Sequence, residues 1–307
     1  MHIWYNYQER IVYMKKIKEY LTNFFNGFMM ALADSVPGVS GGSIAFILGF
    51  YDNFVNALDS LLYKDKRKDG LKYLFKLGIG WIIGMALSVL ILTKVFETHI
   101  YQISSLFIGF ILLSIPIIIK DEKDILKKNY FNIFFTILGI ILVVAITYFN
   151  STQLTNMSLT NLTISHSIYI FLVGMIAISA MILPGISGST LLLIFGLYLP
   201  VITGIKDLLH LNFSSFFGLV IFGLGVIAGI LSIIKALKKA LDKYRPQTIY
   251  LIIGLMIGSL YAIVMGPTTL DNPVDAININ NFSILFFIIG GIVVLGLQKL
   301  KVINEKK

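Results

Sequence analysis

Two stretches of the chain combine a helix stop with a run of small and hydroxyl side chains: VPGVSGGSIAFILGFY at 36–51 and LPGISGSTLLLIFGLY at 183–198. Laid over one another at an offset of 147, they agree at seven of sixteen positions. Pro37 and Pro184 interrupt a helix, because proline lacks the N–H and fixes φ. Gly38, Gly41, Gly42, Gly185 and Gly188 allow φ > 0, so consecutive N–H groups can point into one concavity. A new helix then starts near Ser43 and Thr190, and its free N–H groups and positive dipole end face the break. The hydroxyls of Ser40, Ser43, Ser187, Ser189 and Thr190 add donors. Such a constellation suits a phosphate or a carboxylate. The plain alternative is close helix packing through small residues, which membrane proteins use widely.

Asp34 precedes the first break, and its counterpart in the second is Met181. A carboxylate inside an apolar segment is costly and marks a functional site by default. It could bind and release a proton, accept hydrogen bonds from unwound backbone, help hold a cation, or simply cap the next turn. Tyr51 and Tyr198 end the two motifs, where a hydroxyl could meet a substrate head group. Interfacial anchoring is the simpler account of both. Arg245, just before Pro246, could meet a phosphate, although the charge topology below already accounts for it. His2, His99, His166 and His210 form no metal constellation, and no Walker loop, dinucleotide fingerprint or HExxH motif is present. Neither a metal nor a cofactor is expected.

These residues sit in a chain of 307 residues that is 57% hydrophobic and 13% charged, with a mean hydropathy of +0.85. Soluble domains average about 25% charged residues. The composition excludes an ordinary cytosolic enzyme, a disordered tail and a nucleic-acid binder, despite a net charge of +9. With no cysteine there is no disulfide, iron–sulfur cluster or thiol nucleophile. The N-terminus lacks the pattern of a cleavable signal. Six stretches, 74–93, 102–119, 130–149, 214–234, 248–265 and 282–298, are long and apolar enough to span a bilayer, which takes about 20 helical residues. The regions 21–62 and 167–205 each hold one Pro-Gly break and read as helical hairpins, re-entrant or fully spanning, whose second arm is one further helix. The repeat continues beyond them: Gly78, Gly80 and Gly84 fall on Gly223, Gly225 and Gly229, and Gln102, Gly109 and Ser114 on Gln247, Gly254 and Ser259, at an offset of 145.

Charge orients the elements. Of 25 Lys and Arg residues, 23 lie in the segments 1–19, 63–76, 120–128, 235–245 and 299–307, which the positive-inside rule makes cytoplasmic. The linkers 150–166 and 266–281 hold none and are expected outside. Both termini are then cytoplasmic, and the two halves are inverted with respect to each other. The expected fold is an all-α integral membrane protein of two inverted-topology repeats, each a broken hairpin plus three transmembrane helices. Its parts are a basic lead-in (1–19) on the inner membrane surface, repeat 1 (20–150), an external linker (151–166), repeat 2 (167–300) and a tail (301–307). Discontinuous helices at matching places in inverted halves point to a transporter with its site near the midplane.

At the two hairpins the sequence resembles the bacterial polyprenyl-phosphate transporters. The resemblance rests on Asp34 to Ser43 with Gly49 and Tyr51, and on Pro184 to Ser189 with Gly196 and Tyr198, and covers about residues 20–300. It implies a plasma-membrane flippase that returns undecaprenyl phosphate, the lipid carrier of cell-wall precursors such as those of peptidoglycan, from the outer to the inner leaflet. The phosphate head would sit at the two Pro-Gly-x-Ser-Gly breaks, with protons as a candidate coupling ion. Two other readings compete. A small-anion or carboxylate symporter or channel would use the same breaks, without the lateral opening a lipid needs. A polyprenyl-diphosphate phosphatase needs an acid/base or a metal-holding carboxylate together with Arg or His, and the second motif has none of these. Oligomeric state is not legible in the sequence.

Overall fold

A computed structural model of the chain describes residues 2–35, 39–88, 93–149, 158–160, 162–269 and 273–305. The described chain is helical: α1 (His2–Asp34), α2 (Gly41–Ile47), α3 (Tyr51–Ser60), α4 (Arg67–Leu87), α5 (Thr93–Asp121), α6 (Lys123–Lys128), α7 (Ile133–Phe149), α8 (Ile164–Ile182), α9 (Gly188–Ile194), α10 (Tyr198–Leu209), α11 (Phe216–Lys243), α12 (Arg245–Met265) and α13 (Ile284–Glu305). Among the described residues, six helical stretches are long and apolar enough to cross a membrane: Arg67–Leu87, Thr98–Asp121, Tyr130–Tyr148, Ile164–Ile182, Phe216–Lys243 and Arg245–Thr268. This is a multi-pass membrane protein. Ile164–Ile182, expected as the first arm of the second hairpin, is itself of spanning length, and α13 adds a shorter apolar stretch, Ile284–Gly296. The lead-in and the first hairpin arm form one continuous helix, α1.

Apolar side chains gain little from helix contact in lipid, so small residues set the crossings. α1 packs on α4, α8 on α11, α5 on α13 and α7 on α12. Gly80 of α4 rides on the Phe24 backbone of α1, and Gly84 on Phe28 and Ala31. Gly225 of α11 rides on Phe171 of α8, and Gly229 on Met175 and Ile178. These two crossings superimpose position by position at the offsets 145 and 147. Both pairs run parallel, since residue numbers rise together along the contact. Each hairpin therefore comes back to the end of the bundle from which it set out; the turn 61–66 delivers the chain to the foot of α4.

The remaining spans are exchanged between the halves. Gly109 of α5 meets Phe287 of α13, while Gly254 of α12, its repeat mate, meets Thr136 of α7. A Cβ at either glycine would overlap the partner's carbonyl oxygen.

One expectation fails. The second arm of each hairpin is two helices, not one. Gly49 (φ 75°) and Gly196 (φ 67°) adopt the left-handed conformation that ends a helix without steric cost. Phe50 N–H then donates to Ala45 O (3.0 Å), and Leu197 N–H to Leu192 O (2.9 Å), closing the same C-terminal motif in both halves. The pieces α2 with α3, and α9 with α10, result.

Candidate functional site

The two breaks lie against each other, although 143 positions separate Ser40 from Leu183. Ser40 Oγ donates to Leu183 O (3.3 Å), and Tyr51 Oη donates to Ile182 O (3.1 Å). In return Gly185 N–H donates to Ser43 Oγ (2.7 Å). Ser40 and Ser43 are buried, as are Gly41, Gly42, Pro184, Gly185, Ile186, Ser187, Gly188 and Thr190. Buried hydroxyls and amides without water must find partners inside the protein, and here each break supplies partners to the other. Residues 36–38, with Pro37 and Gly38, and the side chain of Ser189 lie outside the described residues.

The glycines serve a different purpose from the one expected at three positions. Gly185 is left-handed (φ 87°), but Gly41, Gly42 and Gly188 are not. They occupy the first turns of α2 and α9, where space is the constraint. A Cβ on Gly42 would come within 2.9 Å of Ile182 O, and one on Gly41 within 2.7 Å of an Asp34 oxygen. On Gly188 it would come within 3.1 Å of the Met181 Cβ. The side chains of Asp34 and Met181 thus lie over equivalent glycines in the two halves.

Asp34 is fully engaged. Its Oδ1 accepts Gly41 N–H (2.7 Å), and its Oδ2 accepts the indole N–H of Trp81 (3.0 Å) on α4. Ser40 caps α2 by accepting Gly42 N–H (3.2 Å). The N–H groups of Gly41, Gly42 and Gly185 are therefore all bonded within the protein. Trp81 escaped the sequence reading, because it stands 47 positions from Asp34 on another helix. One signal was available: its repeat mate is Val226, just as that of Asp34 is Met181.

Tyr51 is 2% exposed, so it is no interfacial anchor but a link from the first hairpin to the second break. Tyr198 is half-buried. Arg245 has two carboxylate partners, Asp52 Oδ2 (3.1 Å) and Glu122 Oε1 (2.7 Å). It ties the start of α12 to α3 and to the turn after α5, and Lys238 of α11 adds a hydrogen bond to Asn56 of α3. All of this lies at the end rich in Lys and Arg. The repeat mates Leu199, Ile100 and Pro267 carry no charge, so the opposite end has no equivalent of the Arg245 cluster.

A family model described as undecaprenyl phosphate translocase-like matches residues 30–281. A polyprenyl-phosphate transporter of Staphylococcus aureus is 35% identical over 292 residues, 92% of this chain and 98% of the relative. A polyprenyl-phosphate transporter of Vibrio cholerae is 35% identical over 257 residues, 80% of this chain and 78% of the relative. No solved structure matches the chain. Both relatives are named as transporters, and the match takes in both breaks and the helices that carry them. The chain belongs to the undecaprenyl phosphate translocase-like family.

Proposed function

We propose that this protein is a flippase that carries a polyprenyl phosphate across the plasma membrane. It returns undecaprenyl phosphate from the outer to the inner leaflet, with the phosphate at the two breaks and the polyprenyl tail left in lipid. The observation that carries this reading is the meeting of the two breaks inside the bundle, held by bonds from each half to the other. The names of the relatives supply the substrate class. The arrangement fits a closed state: donors suited to an anion are present but bonded internally, and a head group gains them as the halves part.

The inverted arrangement belongs to the same reading. The parallel pairs α1 with α4 and α8 with α11, the exchange of the third spans and the basic segments are all consistent with a pseudo-two-fold axis in the membrane plane. Asp34 is the candidate carrier of a coupling proton, since it is the carboxylate bonded to the described part of the first break. Leaflet-specific labelling of undecaprenyl phosphate, in cells with and without the protein, tests the proposal. Loss of the protein should leave more of the lipid in the outer leaflet. An unchanged distribution, in cells lacking any other carrier of this lipid, would sink it.

A further inference from the structure

The chain has two tryptophans, Trp4 and Trp81, and Trp81 places its only hydrogen-bond donor on the carboxylate of the first break. We infer that Trp81 is a positioning residue for transport: it holds Asp34 ionised over Gly41 and releases it when Asp34 takes up a proton. This rests on the reading of Asp34 as the proton carrier.

Three observations support it. The first is the chemistry of the contacts. Both partners of Asp34, the Gly41 N–H and the Trp81 indole N–H, are donors that cannot accept. An ionised carboxylate satisfies both at once, one on each oxygen. A proton taken up on one oxygen removes the negative charge, so the charge-assisted bonds from the two donors weaken. The contact reads the protonation state directly.

The second is the pattern within the chain. Where the second half has Met181 in place of Asp34, it has Val226 in place of Trp81. Both members are present in one half and both absent in the other. A tryptophan that only filled space at the α1–α4 crossing would not need the carboxylate beside it. The crossing itself is reproduced in the other half without either residue.

The third is the isolation of the pair. Asp34 sits at the end of α1, against α2 and α4. α2 contains no ionisable residue. On α4 the nearest charge is Lys76, which is committed to Glu19 of α1 (2.7 Å) and lies over the Tyr20 ring. Asp34 and Trp81 are both half-buried. Among the described residues, the hydrogen bonds to the Asp34 carboxyl come from Trp81 and Gly41 alone.

The test has two arms. With Trp4→Phe, Trp81 becomes the sole tryptophan of the purified protein, and its emission should titrate with pH. Adding Asp34→Asn should abolish that titration. Emission indifferent to pH, or a titration that survives Asp34→Asn, overturns the inference even if transport variants fail to fold.

The second arm is flux of a labelled polyprenyl phosphate in proteoliposomes across a pH series. Trp81→Phe keeps an aromatic side chain, smaller than indole, and deletes the donor. The profile should be displaced by about one pH unit, the tenfold change in proton affinity expected from one hydrogen bond to a charged group. An undisplaced profile for Trp81→Phe, beside an impaired and pH-flat Asp34→Asn, removes Trp81 and leaves the Asp34 reading standing. A normal profile for Asp34→Asn removes both.

Discussion

Gly41 and Gly188 occupy equivalent first turns, yet what lies over them differs in kind. A Cβ at Gly41 would press within 2.8 Å on both oxygens of a carboxylate held from two sides, whereas one at Gly188 would meet Met181 less closely, its Cβ at 3.1 Å and its flexible Cγ and Sδ at 3.3 Å. A fixed, bonded group cannot give way and a methionine can, because its three torsions let it repack. Gly41→Val should therefore abolish flux, while Gly188→Val retains a measurable share, with both proteins present in the membrane at comparable levels. Equal activity of the two variants would mean that the carboxylate contact has no part in transport. The residues of the breaks were legible in the sequence because they recur as a motif. Trp81 was not, because a helix crossing brings it to Asp34 and no local spacing records that. Tyr51 was found but misplaced at the interface, since its position along the second hairpin helix does not reveal the second break beside it.

At the scale of elements, hydropathy located the spans and the Pro-Gly pairs located the breaks. It left the hairpins open between re-entrant and spanning, because apolar length alone does not say where a chain turns back. The parallel crossings of α1 with α4 and of α8 with α11 show that each hairpin returns to the end of the bundle it left, as either kind would. They depend on single glycines at the contact, among others of identical type that face outward. Gly78 and Gly80 make the contrast testable. Nothing lies within 4 Å of a Cβ on Gly78, whereas one on Gly80 would overlap the Phe24 carbonyl of α1. Alanine stabilises a helix over glycine by about 1 kcal/mol when the site is free, and overpacking costs about 1–3 kcal/mol when it is not. Thermal unfolding in detergent should thus show Gly78→Ala at or above the wild-type midpoint and Gly80→Ala below it. A lower midpoint for Gly78→Ala than for Gly80→Ala would mean that the crossing is wrongly placed.

For the whole molecule, the distribution of charge and the packing bear on orientation independently. The five basic segments fall at one end of the bundle if both hairpins return, and the parallel helix pairs are the packing that such returns produce. That end also carries the Arg245 cluster and the Lys238–Asn56 bond, so the two ends differ chemically although the repeats match. Sidedness can be measured directly because the chain has no cysteine, and any introduced thiol is the sole target. Ile279 is 97% exposed in the linker between α12 and α13, and Ser158 is exposed before α8. Asp65 and Asp124 are exposed at the basic end. With a membrane-impermeant maleimide added to intact cells, Ile279→Cys and Ser158→Cys should label, while Asp65→Cys and Asp124→Cys should label only after lysis. Labelling of Asp65→Cys from outside would place a basic segment on the wrong face. The positive-inside assignment and the inverted arrangement of the halves would then fall together.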